Sequence, residues 1–257
     1  MSDAAMVAHQ VGYEQRSFWR NPASAFFAFA LPMVFLVVFA SIFRNTDVEV
    51  AGHRVAYNDY YIPALIAFGV MGACFTNIAV SVAVRRDSGI LKRMRGTPLP
   101  AWAFIAGLVG SSVVVSAVLT GLTTLFGIVA FGVHAPAHVP ALLATLAIGS
   151  VVFCALGLGV TVVIPNAEAA TPIVQLLLLP LVFISGTFFT IDPGSLPAKI
   201  ATYFPVRHLI AAMQSAFDPA GVAGDGWSTN DYKVMAIWGL AGLIVAIRRF
   251  RWEPRHT

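Results

Sequence analysis

The sixteen residues Arg85–Pro100, RRDSGILKRMRGTPLP, interrupt two long stretches that carry no charge at all. Arg85, Arg86, Lys92, Arg93 and Arg95 cannot rest in hydrocarbon, where each cation costs about 2.5–3.5 kcal/mol at the centre of a bilayer. The block must therefore surface on one side of a membrane, and short loops rich in Lys and Arg stay on the cytoplasmic side. Within it, Ile90, Leu91 and Met94 stand at i, i+1 and i+4, an apolar strip on a short helix whose other faces are cationic. Such a helix suits a soluble partner. The charge taken alone favours instead an orientation signal that touches anionic lipid.

Composition agrees with a membrane chain. It is 58% hydrophobic and 11% charged, where soluble domains carry about 25% charged residues. Eleven of the sixteen Lys and Arg fall on the side assigned as cytoplasmic, and the other five share their side with seven of the twelve acids. The net charge of +4 thus follows from topology and implies no nucleic-acid partner. The first apolar run follows Asp3 and Glu14 and is too long for a signal sequence, so no cleavable leader is expected. Cys74 and Cys154 fall inside apolar runs, where neither a disulfide nor a zinc site is expected.

Crossing a bilayer takes about 20 apolar residues in a helix. Six stretches qualify: 23–43, 61–84, 101–131, 141–164, 169–189 and 232–247. The predicted fold is an all-α polytopic membrane protein, one domain over 1–257, with six transmembrane helices and both termini cytoplasmic. Residues 1–22 hold an interfacial helix with Val7, Val11 and Phe18 on one face. Pro32 should kink the first span. Residues 44–60 read as a polar connection and 85–100 as a loop carrying the short helix. Residues 190–231 are rich in Pro and Gly yet apolar, which fits short re-entrant helices dipping into the outer membrane face.

The motifs that are missing matter as much. There is no G-x-x-x-x-G-K-[ST], no H-E-x-x-H and no G-x-S-x-G. No catalytic residue, no metal and no cofactor is expected. His134 and His138 are four apart, but Pro136 between them argues against a helical metal pair. Carboxylates at membrane depth, which proton-coupled carriers normally use, are lacking too, because Glu168 opens a span. If this chain moves a solute uphill, another polypeptide supplies the energy.

Three blocks resemble a known family: RRDSGILKRMRGTPLP, LPLVFISGTFFTIDPGSLPAKIATYFPVRHLIAAM and RRFRWEP. They are similar to type-2 ABC exporter permeases, the membrane subunits that pair with a separate ATPase, and especially to actinobacterial drug-exporter permeases of the daunorubicin-resistance type. Thr190 departs from that pattern, standing where many members carry Pro, and Pro219–Trp227 departs as well.

The resemblance implies a mechanism and its residues. Asp87, Ile90, Leu91, Lys92, Arg93, Met94 and Arg95 would form a coupling helix docked on two copies of a cytoplasmic ABC ATPase, which binds the ATP and magnesium. A second permease, as a homodimer in the lipid membrane, would complete the pathway. The second and fifth spans would line it with Phe68, Phe75, Asn77, Gln175, Leu178 and Phe183, and with Phe188 near an external constriction. Ser185, Gly186, Pro193, Pro197 and Pro205 would belong to the external re-entrant gate. Aromatic and aliphatic spans suit hydrophobic or amphiphilic cargo, drug or lipid-like, in multidrug efflux and antibiotic resistance. Alternatives are a glycan or lipid-linked exporter of the same family, or a non-transporting scaffold or assembly subunit. For Asn77, a hydrogen bond between helices competes with substrate contact.

Overall fold

The computed structural model describes residues 2–44, 46–50, 52–188, 191, 194–218, 220–222 and 224–249, with 23 and 24 as helix backbone only. Pro193, Thr190 and the tail beyond residue 249 lie outside the described residues. Among those described, six helices are long and apolar enough to cross a membrane.

The N-terminal helix α1 (Asp3–Trp19) opens on Ser2, whose hydroxyl accepts from the Ala5 amide at 3.4 Å. It lies along α6 (Ala101–Phe131). Small residues on α6 permit this approach: a Cβ at Gly107 would stand 2.2 Å from Gln10 Cγ, and one at Gly110 would stand 2.6 Å from Val11 Cγ2. Gln15 adds bonds from its amide nitrogen to the Ser111 carbonyl (2.9 Å) and hydroxyl (3.0 Å).

The first span, α2 (Pro22–Ile42), starts on a proline, whose fixed φ and missing N–H suit a first helical position, and carries Pro32 inside it. Strands β1 (Asp47–Val50) and β2 (His53–Ala56) follow as an antiparallel hairpin with Val48 opposite Val55. This corrects the all-α expectation for the polar connection. Val48, Val50 and Val55 are β-branched residues at alternating positions, a strand pattern rather than a helical one.

The second span runs from Tyr57 to Asp87 in three parts. Helix α3 (Tyr57–Met71) is buried along most of its length, a wider turn of π-helix occupies Gly72–Thr76, and α4 (Asn77–Asp87) continues to the basic end. The helix does not stop at Val84 as the apolar run does. It carries Arg85, Arg86 and Asp87 inside α4, because each of the three finds a partner on another element. Gly89 (φ 70°) then makes a left-handed turn that few other residues accept, and the short helix α5 (Ile90–Met94) begins.

The remaining spans are α6, α7 (Val139–Val160), α8 (Ala167–Ile184) and α11 (Thr229–Arg249). Two shorter helices, α9 (Leu196–Ala201) and α10 (Pro205–Phe217), stand between α8 and α11. Helix α11 packs most extensively on α7, backbone to backbone: a Cβ at Gly242 would come 2.9 Å from the Ala155 carbonyl oxygen. Helix α6 turns a stripe of hydroxyls inward, Ser112, Ser116, Thr120 and Thr123, with Ser116 2.9 Å from Ser150 of α7. Cys74 and Cys154 are buried free thiols.

Candidate functional site

One face of the molecule is hollow. Between α2, the π turn and α8 lies a cavity of about 430 Å³, within the range usual for small-molecule sites. Its walls are mostly apolar, from Phe27, Leu31 and Pro32 on α2 to Phe68 on α3 and Leu178 on α8. Polar groups enter from two sides, Thr76 and Asn77 where the second span widens, Thr171 and Gln175 on α8. Asn77 and Thr171 are exposed rather than buried against a neighbouring helix. Isolated π turns inside α-helices frequently mark functional sites. Here the turn shifts the phase of the second span, so that Gly72 and Thr76 face the cavity while Cys74 is buried.

Four of the residues expected along a pathway, Phe68, Asn77, Gln175 and Leu178, are thus brought together. Phe75 is not among them. It lines instead a separate apolar cleft of about 190 Å³ with Phe153, Leu178 and Trp238. Phe183 is exposed at the far end of α8, its ring 5.2 Å from that of Phe188. Phe188 is buried as a hub, meeting Phe35, Phe39 and Phe68 at centroid distances of 5.5, 5.5 and 5.9 Å. Its carbonyl accepts the Tyr57 hydroxyl at 2.6 Å. Ser185 is buried beside it, and Gly186 (φ 83°) accepts weakly from Tyr60 at 3.4 Å. Pro205 opens α10 and Pro197 is the second residue of α9, both in a first turn, where a proline is tolerated.

At the basic end the second span is tied to three other elements. Arg86 is 2% exposed, and its guanidinium donates to the carbonyls of Thr161 (2.9 Å) and Ile164 (2.6 Å). Thr161 is the C-cap of α7 and Ile164 follows in the turn beyond it, so a cation meets the negative pole of that helix. Asp87 accepts from the Ala167 amide at 2.7 Å and places an anion on the positive pole of α8. Asn166 caps the same helix through Ala169 at 2.9 Å. Arg85 grips Glu14 of α1 with both nitrogens, at 2.8 and 2.5 Å.

Beyond these ties stands α5. Leu91 is 0% exposed and anchors the elbow in this chain's own core, so the apolar strip is split. Ile90 is exposed, Met94 half-buried, and Lys92, Arg93 and Arg95 face outward. Sequence reasoning missed Glu14, Arg86 and the π turn. The signal for Glu14 was there, one carboxylate four residues from Phe18 and opposite in sign to the block at Arg85.

The opposite end carries three histidine–aspartate contacts. His134 meets Asp59 at 3.0 Å, His208 meets Asp231 at 2.6 Å, and His138 stands 3.8 Å from Asp218. His134 and His138 thus each face a different carboxylate, and among the described residues no group of three metal-ligating side chains occurs.

Comparison with known proteins agrees with this architecture. Residues 11–217 match the family described as "ABC-2 type transporter". Relatives include the "Inner membrane transport permease YadH" of Escherichia coli (strain K12) and of Shigella flexneri, each 25% identical over 166 residues. Those matches cover 62% of this chain and 63% of each relative, so the chain spans under two thirds of the curated proteins it matches. The six apolar helices, together with an inner-membrane permease as relative, make it a multi-pass protein of the inner membrane. With the family matched from α1 to the end of α10, this chain belongs to the ABC-2 type transporters.

Proposed function

We propose that the protein is the permease subunit of an ATP-driven exporter for hydrophobic or amphiphilic molecules, driven by a separate ATPase and completed by a second copy of itself. The observation that carries this is the open cavity, where Asn77, Thr171 and Gln175 present polar groups among apolar walls at membrane depth. Polar side chains there face protein or a water-filled space, not lipid. A second copy set against this face encloses the space as a pathway. A scaffold has no need of it.

The basic end then faces the cytoplasm, and α5 is the ATPase contact. Ile90 and Met94 supply the apolar part, while Lys92, Arg93 and Arg95 pair with acids or lipid headgroups. Leu91 fixes the helix to the permease. Motion of α5 reaches the cavity by a short route. Asp87 is bonded to the first turn of α8, and Arg86 to the end of α7. Two of the spans that line the cavity, the second and the fifth, are therefore joined directly through Asp87. Helices α9 and α10 serve as the external re-entrant gate. Drug efflux with antibiotic resistance is the role we assign first.

The test is purification of the detergent-solubilised chain with its associated proteins, followed by reconstitution. A P-loop ATPase is expected to co-purify and to hydrolyse ATP faster when hydrophobic drugs are added. A preparation that never contains an ATPase overturns the proposal. A Ser88→Cys variant in intact cells checks orientation: labelling by an impermeant thiol reagent from outside would place α5 on the wrong side.

A further inference from the structure

The cavity continues toward the basic end. Past Phe18 and Asn77, which form walls of both, lies a second recess of about 170 Å³ enclosed by α1, α4 and α6. Its character differs from the first. Ser17, Asn21, Asn77, Ser81 and Ser111 line it, and the aliphatic contribution is Leu108. Two full charges stand in its wall, Glu14 and Arg85, 4% and 19% exposed. They are bound to each other through two hydrogen bonds, and Gln10 donates a third to Glu14 at 3.1 Å. The Arg85 guanidinium also lies 5.6 Å from the Phe104 ring centre, a cation–π contact on one of its faces.

This arrangement sets what the recess accepts. A cationic group entering it would compete with Arg85 for Glu14, and an anionic one with Glu14 for Arg85. In either case a bidentate pair is broken whose carboxylate is buried and whose guanidinium is largely so, and one charge is left uncompensated. A neutral group rich in hydroxyls or amides breaks nothing and finds serine hydroxyls and asparagine amides, which both donate and accept. We infer that this recess is the head-group subsite of the cavity. It selects amphiphiles whose polar end is uncharged and hydroxyl- or amide-rich, and their apolar part lies in the larger space between α2, the π turn and α8. The inference rests on the reading of that cavity as a substrate pathway.

The experiment is equilibrium binding to the intact permease in lipid nanodiscs. Three amphiphiles of equal chain length serve as probes below their micellar concentrations: an alkyl glycoside, an alkyl trimethylammonium and an alkyl sulfate. The glycoside is expected to bind at least tenfold more tightly than either ion. Glu14→Gln leaves Arg85 unpaired and should bring the sulfate to the top of the order. Arg85→Gln leaves Glu14 unpaired and should favour the ammonium. The double variant has no charge to expose and should return preference to the glycoside, which a merely structural pair would not do. An unchanged order in both single variants overturns the inference, as does an absence of head-group preference in the parent protein. Should the charge variants fail to fold, Ser81→Leu at the recess wall is expected to weaken the glycoside tenfold and leave the two ions within twofold. Retained glycoside preference in that variant overturns it equally. The ATPase complex separates the two readings. Ranked binding without stimulation of ATP hydrolysis removes the transport role and leaves the subsite, whereas stimulation by all three probes alike removes the subsite and leaves transport.

Discussion

The two ends of the second span are held in different ways. At the basic end, Arg85, Arg86 and Asp87 make a few short, directional, charged bonds to α1, α7 and α8. At the other end, Tyr57, Tyr61, Phe39, Phe43 and Phe188 form a ring cluster with centroid distances from 4.4 to 6.2 Å. One end depends on single residues and the other on many dispersed contacts. Directional bonds are either made or lost, while packed rings yield by degrees. An end that must pass a displacement to its neighbours is better served by the first kind, and an end that must stay closed around a shifting core by the second.

The contrast predicts an order of effects. The largest belongs to Arg86. Replacement by Met keeps length and apolar stem but abandons the carbonyls of Thr161 and Ile164. At about 1.5–3 kcal/mol for each charged hydrogen bond, the loss is about 3 kcal/mol or more. Thermal unfolding of the solubilised protein, followed by size-exclusion chromatography, should show it clearly, with Arg86→Lys in between because an ammonium matches the paired carbonyls less well. A Met variant as stable as the parent would dissolve the contrast. Next comes Tyr57→Phe at the far end. It removes one hydrogen bond to the Phe188 carbonyl and leaves the ring cluster intact, for a loss of about 1–3 kcal/mol in the same assay.

Asp87 comes third. Asp87→Ala takes the acceptor from the Ala167 amide and should cost about 1 kcal/mol, the usual worth of a helix cap. Asp87→Asn keeps an acceptor and should cost less. If Asp87 served only an ATPase, neither variant would change the melting of the isolated permease.

The spans were legible because hydrophobicity over 20 residues is a local property, and five of the six runs carry no charge while the sixth holds Lys233 alone. The basic block could be placed at a membrane surface for the same reason. Its inner division could not. Whether Arg86 faces water or the end of α7 depends on a carbonyl 75 residues away, and no local pattern records that. The strip Ile90, Leu91 and Met94 has the spacing of a single face, yet the turn at Gly89 rotates α5 so that Leu91 enters the core and Ile90 does not. In the cavity, Asn77 and Gln175 were visible as polar residues inside apolar runs, whereas Phe68 and Phe75 look alike in sequence. The π turn that holds Phe75, and parts its course from that of Phe68, left no periodic trace.

Ile90 gives the smallest effect on folding and the sharpest on coupling. The obvious disruption of the strip, Leu91→Asp, would bury a carboxylate in the core and destroy the elbow whatever α5 does for function. Ile90 is the better position, because its side chain lies open beside Lys92 and Arg93. Ile90→Asp should leave thermal stability within about 0.5 kcal/mol of the parent, as surface substitutions do. In the reconstituted complex the same change should abolish drug-stimulated ATP hydrolysis and weaken retention of the ATPase during purification, since a carboxylate replaces the apolar contact and lowers the local positive charge. If stimulation survives at the parent level, α5 is an orientation signal and the directional bonds behind it hold the fold together without passing on any stroke.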